Sequence, residues 1–244
     1  MLIDTHAHVN FRAFENDFDE VIKRSLSEDV WLINVGSKYE TSKKAVEISQ
    51  NYNNGVFVAI GLHPIHALDE EFDKAKYKEL VQSKKVVAIG ETGLDYFKNY
   101  GKFKDKQKQI FLQQLDLAKE LNLPIIVHCR MAHNDVLEIL KDYRLPGVIH
   151  CFTGDWEQAQ KYLDMGFYLG INGIMYKFDL KEVIGKTPLD RILLETDCPY
   201  LGREERNEPI FVREIAKDIA RIKSIPFEKV AQTTFQNAVD LFNI

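Results

Sequence analysis

A chain of 244 residues, 45% hydrophobic and 28% charged, is long enough to bury a large core and suits a single α/β barrel. It has no apolar run of about eighteen residues and no basic-then-apolar leader before Leu2, so neither a transmembrane helix nor a secretory signal is expected. A net charge of −5 speaks against a protein that coats duplex DNA, but not against an enzyme that grips a few phosphates. The three cysteines, Cys129, Cys151 and Cys198, lack zinc-finger or redox-pair spacing. Packing near strand ends is their expected role, in preference to thiolate ligation, and a reduced cytoplasmic setting fits them.

Along the chain, short β-type runs alternate with amphipathic stretches, the pattern of repeated βα units. Strands are expected at 2–5, 30–35, 56–60, 86–90, 124–128, 147–151, 167–171 and 191–195. Near-continuous runs such as Val86-Val87-Ala88-Ile89 suit strands buried on both faces. A helix is expected over 103–121, where Phe111, Leu115, Ala118 and Leu121 share a stripe. Asn122-Leu123-Pro124 ends it and opens the next strand. Helices at 209–222 and 227–242, separated by Ser224-Ile225-Pro226, finish the chain. No linker or low-complexity tract interrupts the pattern. One domain spanning 1–244 is expected, a (β/α)8 TIM-type barrel with extra C-terminal helices.

Six residues able to bind a metal stand at the ends of these runs: His6, His8, Glu91, His128, His150 and Asp197. In a parallel barrel all the strand ends converge on one face, so the six would meet in one pocket. Three or four such residues hold one ion, and six can hold two, which points to a hydrolase. His6 and His8, one residue apart on an extended chain, point to the same side. Glu91, between Gly90 and Gly93, can place one oxygen on each of two metals about 3.5–4 Å apart. Asp197 suits both ligation and general-base duty. Taken singly, each histidine is as well explained as a core or surface residue. Their shared position at strand ends is what carries the expectation.

The chain also resembles a known family. Asp4-Thr5-His6-Ala7-His8, Gly61-Leu62-His63-Pro64, Gly90-Glu91-Thr92-Gly93-Leu94-Asp95-Tyr96 and Pro124-Ile125-Ile126-Val127-His128-Cys129-Arg130 appear in order. His150-Cys151-Phe152-Thr153-Gly154, Leu194-Glu195-Thr196-Asp197-Cys198-Pro199-Tyr200-Leu201, Arg206-Asn207-Glu208-Pro209 and Asn237-Ala238-Val239-Asp240-Leu241-Phe242 follow. Together they resemble the TatD family of metal-dependent hydrolases, within the amidohydrolase superfamily, over essentially the whole chain. The resemblance implies a barrel with two divalent ions; mixed imidazole and carboxylate ligands suit zinc, manganese, nickel or iron, with weakly bound magnesium as a further candidate. It implies His6, His8 and Asp197 on the first ion, His128 and His150 on the second, and Glu91 between them. Family members include deoxyribonucleases that trim single-stranded 3′ ends, so DNA is the leading implied partner. The alternative is an ester or amide hydrolase, since some relatives are described as acting on aminoacyl-tRNA. A non-catalytic scaffold fits poorly with a full set of ligand types. Three departures fall at the substrate-facing rim: Met131-Ala132 where an acid and alanine are usual, Ile65 before His66, and a short segment from Pro199 to Arg206. They bear on substrate preference.

Around the site, Arg130, Lys177 and Arg206 are candidates to hold phosphate, with surface salt bridges as the alternative. His63 is a candidate to orient the substrate or leaving group, with a capping or ligand-supporting role as the alternative, and Asp95 to orient a ligand rather than bind metal. The segment from Tyr96 to Lys108 mixes five lysines with four aromatics on the same face. Lysines could meet phosphates there while rings stack on unpaired bases; the plainer reading is a solvated helix start.

Overall fold

The computed structural model describes residues 1–202 and 206–244, leaving out the side chain of residue 99. The segment between Pro199 and Arg206 therefore lies partly outside the described residues.

Eight parallel strands run in the order β1 to β8: β1 (Leu2–Ala7), β2 (Val30–Val35), β3 (Val56–Ile60), β4 (Val86–Asp95), β5 (Ile125–Arg130), β6 (Gly147–His150), β7 (Tyr168–Ile171) and β8 (Ile192–Leu194). Between them lie α1 (Phe18–Ser27), α2 (Tyr39–Ser49), α3 (Lys74–Leu80), α4 (Lys104–Leu121), α5 (His133–Leu140), α6 (Trp156–Asp164) and α7 (Lys181–Lys186), and α8 (Val212–Lys223) and α9 (Phe227–Phe242) close the chain. The last strand returns to the first through a parallel bridge between Ala7 and Cys198. The Asp197 N–H donates to the His6 carbonyl (2.9 Å) and the His8 N–H to the Cys198 carbonyl (2.9 Å). Barrel closure itself thus brings Asp197 beside the two N-terminal histidines.

The period-two alternation of a strand explains which side chains reach the pocket. Ile126, Val148 and Leu193 belong to one buried cluster with Ile3 and Ile33. Two residues further on stand His128, His150 and, just past the end of β8, Glu195, so a layer of apolar side chains is capped by a polar one. At the other end, α9 lays Ala238, Leu241 and Phe242 onto the same cluster, with Trp31 tilted against Phe235 (5.5 Å). The amino-terminal mouth is a packed stopper, and the carboxyl-terminal mouth is left for chemistry. Outside, helices such as α4 pack Ile110, Phe111, Leu115 and Ala118 onto the opposite strand faces.

Two buried glutamines of α4, Gln107 and Gln114, fix the strand ends on that side. Gln114 accepts from the Leu62 N–H (2.8 Å) and donates to the Leu62 carbonyl (2.9 Å) and to Thr92 Oγ1 (2.7 Å). Gln107 makes the same paired contact with the Asp95 backbone (2.8 and 2.9 Å). Seven residues, about two helical turns, separate them, which places both on one face. α4 ends at Asn122 in the left-handed conformation (φ 53°).

The largest difference from the expected elements is β4, which runs to Asp95 rather than stopping at residue 90. Its pairing with β5 shifts register between Ile89 and Thr92 and then resumes. Gly93 permits this close approach: with φ at 133°, a Cβ there would lie 2.1 Å from the His128 carbonyl oxygen. The helix expected from 209 begins at Val212, because Pro209 starts a 3-10 turn that precedes it. None of the helices of the described residues is long and apolar enough to cross a membrane.

Candidate metal centre

All six expected ligand side chains converge. Glu91 lies at their middle, 4% exposed, with its two oxygens facing different partners. Its Oε2 is 3.4 Å from His6 Nε2 and 3.9 Å from His8 Nε2. Its Oε1 is 2.8 Å from His128 Nδ1, 3.3 Å from His63 Nε2 and 3.8 Å from His150 Nε2. Asp197 completes the first lobe: its Oδ1 lies 3.4 Å from His8 Nε2, 4.0 Å from His6 Nε2 and 3.8 Å from His150 Nε2. The His6 and His150 rings stack at 3.5 Å, which draws the two lobes together. His6, His8 and Glu91 offer donor atoms within 4.8 Å of one another, as do His63, Glu91 and His128.

This donor set fits divalent cations. No lysine or arginine among the described residues pairs with Glu91 or Asp197; every ion-pair partner they have is an imidazole. His6 Nε2 and His8 Nε2 face each other at 3.2 Å, and His6 Nδ1 is buried without a partner. Such a crowd of lone pairs is costly unless a cation gathers them.

Each remaining imidazole is aimed by a partner on its far side, as ligating histidines usually are. His8 Nδ1–H donates to the Val35 carbonyl (2.8 Å), which leaves Nε2 free for the pocket. His128 Nε2–H donates to Asp95 Oδ2 (3.2 Å), so Nδ1 faces inward. Asp95 therefore orients His128, one of the expected ligands. His150 Nδ1–H donates to Glu195 Oε2 (2.9 Å). His63 differs: its Nδ1 accepts from the Ile65 N–H (3.1 Å), so its Nε2 carries the proton and faces the pocket as a donor.

The electrostatics follow from burial among these neighbours. Burial opposes ionisation of Glu91, but the His63 and His6 imidazoles outweigh it and hold the carboxyl well below its usual range. Asp197 is also lowered: burial works against it, and the His8 hydrogen bond with His150 prevails. Burial pushes His63 down to about 4, so it stays neutral. Burial likewise resists charge on His150, yet the Glu195 carboxylate raises it to about 10. At neutral pH His150 thus carries a proton that a cation bound there would have to displace. Loading the protein with zinc or manganese is expected to release protons, and affinity to fall as pH drops. Calorimetry in buffers of different ionisation enthalpy would detect the release; a titration independent of buffer would contradict it.

Glu195 joins the site although its residue type alone does not single it out in the sequence. It is fully buried, it also accepts from the Cys151 N–H (3.0 Å) and Asn172 Nδ2 (3.3 Å), and its Oε1 has no partner. Gly170 makes room for it, since a Cβ there would lie 2.0 Å from that oxygen. Its place two residues after Leu193 on one strand face was the available signal. Replacing it, Glu195→Gln, is expected to weaken metal affinity by about 10–100-fold while the fold persists. Unaltered affinity in a metal-buffered titration would show that His150 needs no such support.

The four candidate substrate groups are placed unevenly. His63 lies within the cluster. Arg130 is exposed at the end of β5, its guanidinium carbon 3.7 Å over the Phe97 ring. Lys177 is exposed just beyond the turn that follows β7, without an ion pair among the described residues. Arg206 is not brought to the cluster: it donates to both oxygens of Asp17 (2.9 and 2.5 Å), to Glu208 (3.1 Å) and to the Ala13 carbonyl (2.7 Å). Its bonds tie the segment after β8 to the loop after β1. Of the lysines after β4, Lys106 pairs with Glu71 and Lys108 with Asp135 (2.8 Å), while Lys104 lies over the Tyr96 ring (4.3 Å).

A sequence profile described as TatD-related DNase matches residues 3–243. The metal-dependent hydrolase YabD of Bacillus subtilis is 44% identical over the full length of both chains. The human deoxyribonuclease TATDN3 is 33% identical over 99% of this chain and 94% of its own. Among solved structures, the TatD homologue YJJV of Escherichia coli superposes with a TM-score of 0.92 at 29% identity, covering 100% of this chain and 98% of its own. A buried ring of imidazoles and carboxylates at the carboxyl-terminal mouth of an eight-stranded barrel, with these relatives, makes the chain a metal-dependent hydrolase of the TatD-related DNase family.

Proposed function

We propose that this hydrolase uses two divalent ions to cleave phosphodiester bonds at the 3′ ends of single-stranded DNA. The observation that carries the reading is Glu91, which turns one oxygen to each of two clusters of imidazoles. His6, His8 and Asp197 would hold one ion, His128 and His150 the other, with Glu91 shared. When bound, such ions supply Lewis acidity that polarises a phosphoryl oxygen and renders water acidic enough to react at neutral pH.

The protein side chains have separate tasks. Asp197, with 17% of its side chain exposed, takes the proton from the attacking water and returns it to the leaving oxygen. His63 presents Nε2–H to a phosphoryl or leaving oxygen, and its low pKa keeps it a neutral donor. Arg130, with no carboxylate partner among the described residues, offers its fork to the phosphate.

A polymer substrate is favoured by the rim. Among the exposed large hydrophobic residues, all but Met1 and Leu112 lie in segments joining a strand's carboxyl end to the next helix: Leu68, Tyr100, Phe103, Met131, Tyr176, Phe178, Tyr200 and Phe211. Rings so placed can stack on unpaired bases. The test is turnover of 3′-labelled single-stranded DNA beside an aminoacyl-tRNA ester, with metal-stripped protein and manganese, magnesium or zinc restored. Stepwise shortening of the DNA that requires metal is expected. Ester cleavage without DNA cleavage would overturn the substrate assignment.

A further inference from the structure

We propose that Phe97 carries Arg130 and Lys98 as a two-cation site for a phosphate flanking the cleaved bond, an inference that rests on the phosphodiesterase reading. The parallel pairing of β4 with β5 sets Asp95 opposite Arg130, and the Tyr96 N–H donates to the Arg130 carbonyl (2.9 Å). The Phe97 N–H donates to Asp95 Oδ1 (2.8 Å), which seats the ring beside Arg130, two residues from His128. The guanidinium carbon lies 3.7 Å above the ring, and Lys98 Nζ lies 5.0 Å from the same centroid.

Two like charges thus share one ring at the edge of the metal centre. Neither has an ion pair or a side-chain hydrogen bond among the described residues. The nearby carboxylates are engaged elsewhere: Asp95 with His128 and the Phe97 N–H, Asp135 with Tyr96 (2.6 Å) and Lys108 (2.8 Å). The next residue along is Met131, 70% exposed, which supplies no counter-charge. Gathering cations without an acid between them is unfavourable unless an anion joins them. The ring under the guanidinium carbon restrains the arginine, which lowers the ordering cost that a free arginine would bear on binding an anion. A phosphate oxygen pair matches the forked donors of the guanidinium, and the ammonium held by the same ring supplies a second positive charge.

The test is binding of a fluorescein-labelled oligothymidylate to the metal-stripped full chain, by anisotropy across a salt series. Lys98→Gln is expected to weaken binding about three- to tenfold and to lower the salt slope by about 0.7, one single-strand phosphate contact. Phe97→Ala should weaken it similarly by unseating Arg130, and Phe97→Trp should restore it. Circular dichroism and melting checks that each variant is folded. Wild-type affinity and slope in both folded Lys98→Gln and Phe97→Ala would overturn the site, even if the wild-type chain cuts DNA. The expected losses in a chain that binds but never cuts DNA would support the site and contradict the nuclease reading.

Discussion

Glu91→Ala is expected to lower bound metal from two ions to at most one and to reduce turnover about 10³-fold or more, equivalent to ~4 kcal/mol of barrier. The expectation follows from the position of this side chain. Its Oε2 faces His6 and His8 and its Oε1 faces His63, His128 and His150, so its removal takes an anionic donor from both lobes at once. It also leaves five imidazoles with less negative charge between them, which raises the cost of holding any cation. Metal content by atomic spectroscopy and single-turnover kinetics would check the two halves separately. A variant that keeps two ions and wild-type turnover would show that Glu91 bridges nothing.

Asp197→Asn should lower kcat about 10²–10⁴-fold at saturating metal. The amide keeps the shape and one weak donor oxygen, but it cannot accept the proton of the attacking water. Asp197 also sits at φ 58°, a left-handed conformation that asparagine tolerates well, so the barrel seam should survive the change. The Asp197 N–H bond to the His6 carbonyl involves backbone alone and is untouched. Melting temperature should therefore move little while kcat collapses. Equal losses in stability and rate would recast the residue as a structural support.

Much of this architecture is legible in the amino-acid sequence. The strands at 30–35 and 56–60 and the helix at 227–242 fall where their apolar patterns placed them, because strands buried on both faces leave unbroken Val, Ile and Leu runs. The convergence of His6, His8, Glu91, His128, His150 and Asp197 was legible for a related reason: each ends such a run, and parallel strands end together. The extension of β4 to Asp95 was hidden, since it depends on a register shift and on how closely Gly93 approaches the His128 carbonyl. Partners across strands were hidden too. Nothing local in sequence joins Glu195 to His150, Gln107 to the Asp95 backbone, or Phe97 to Arg130. The use of Arg206 as a brace to Asp17 spans 189 positions and could not be distinguished from phosphate binding by residue type alone.

The most direct measurement is anomalous diffraction from crystals grown with manganese. Two peaks are expected at the carboxyl-terminal mouth, one among His6, His8 and Asp197, the other beside His128 and His150, with a Glu91 oxygen on each. A single peak, or two peaks that Glu91 does not bridge, would contradict it.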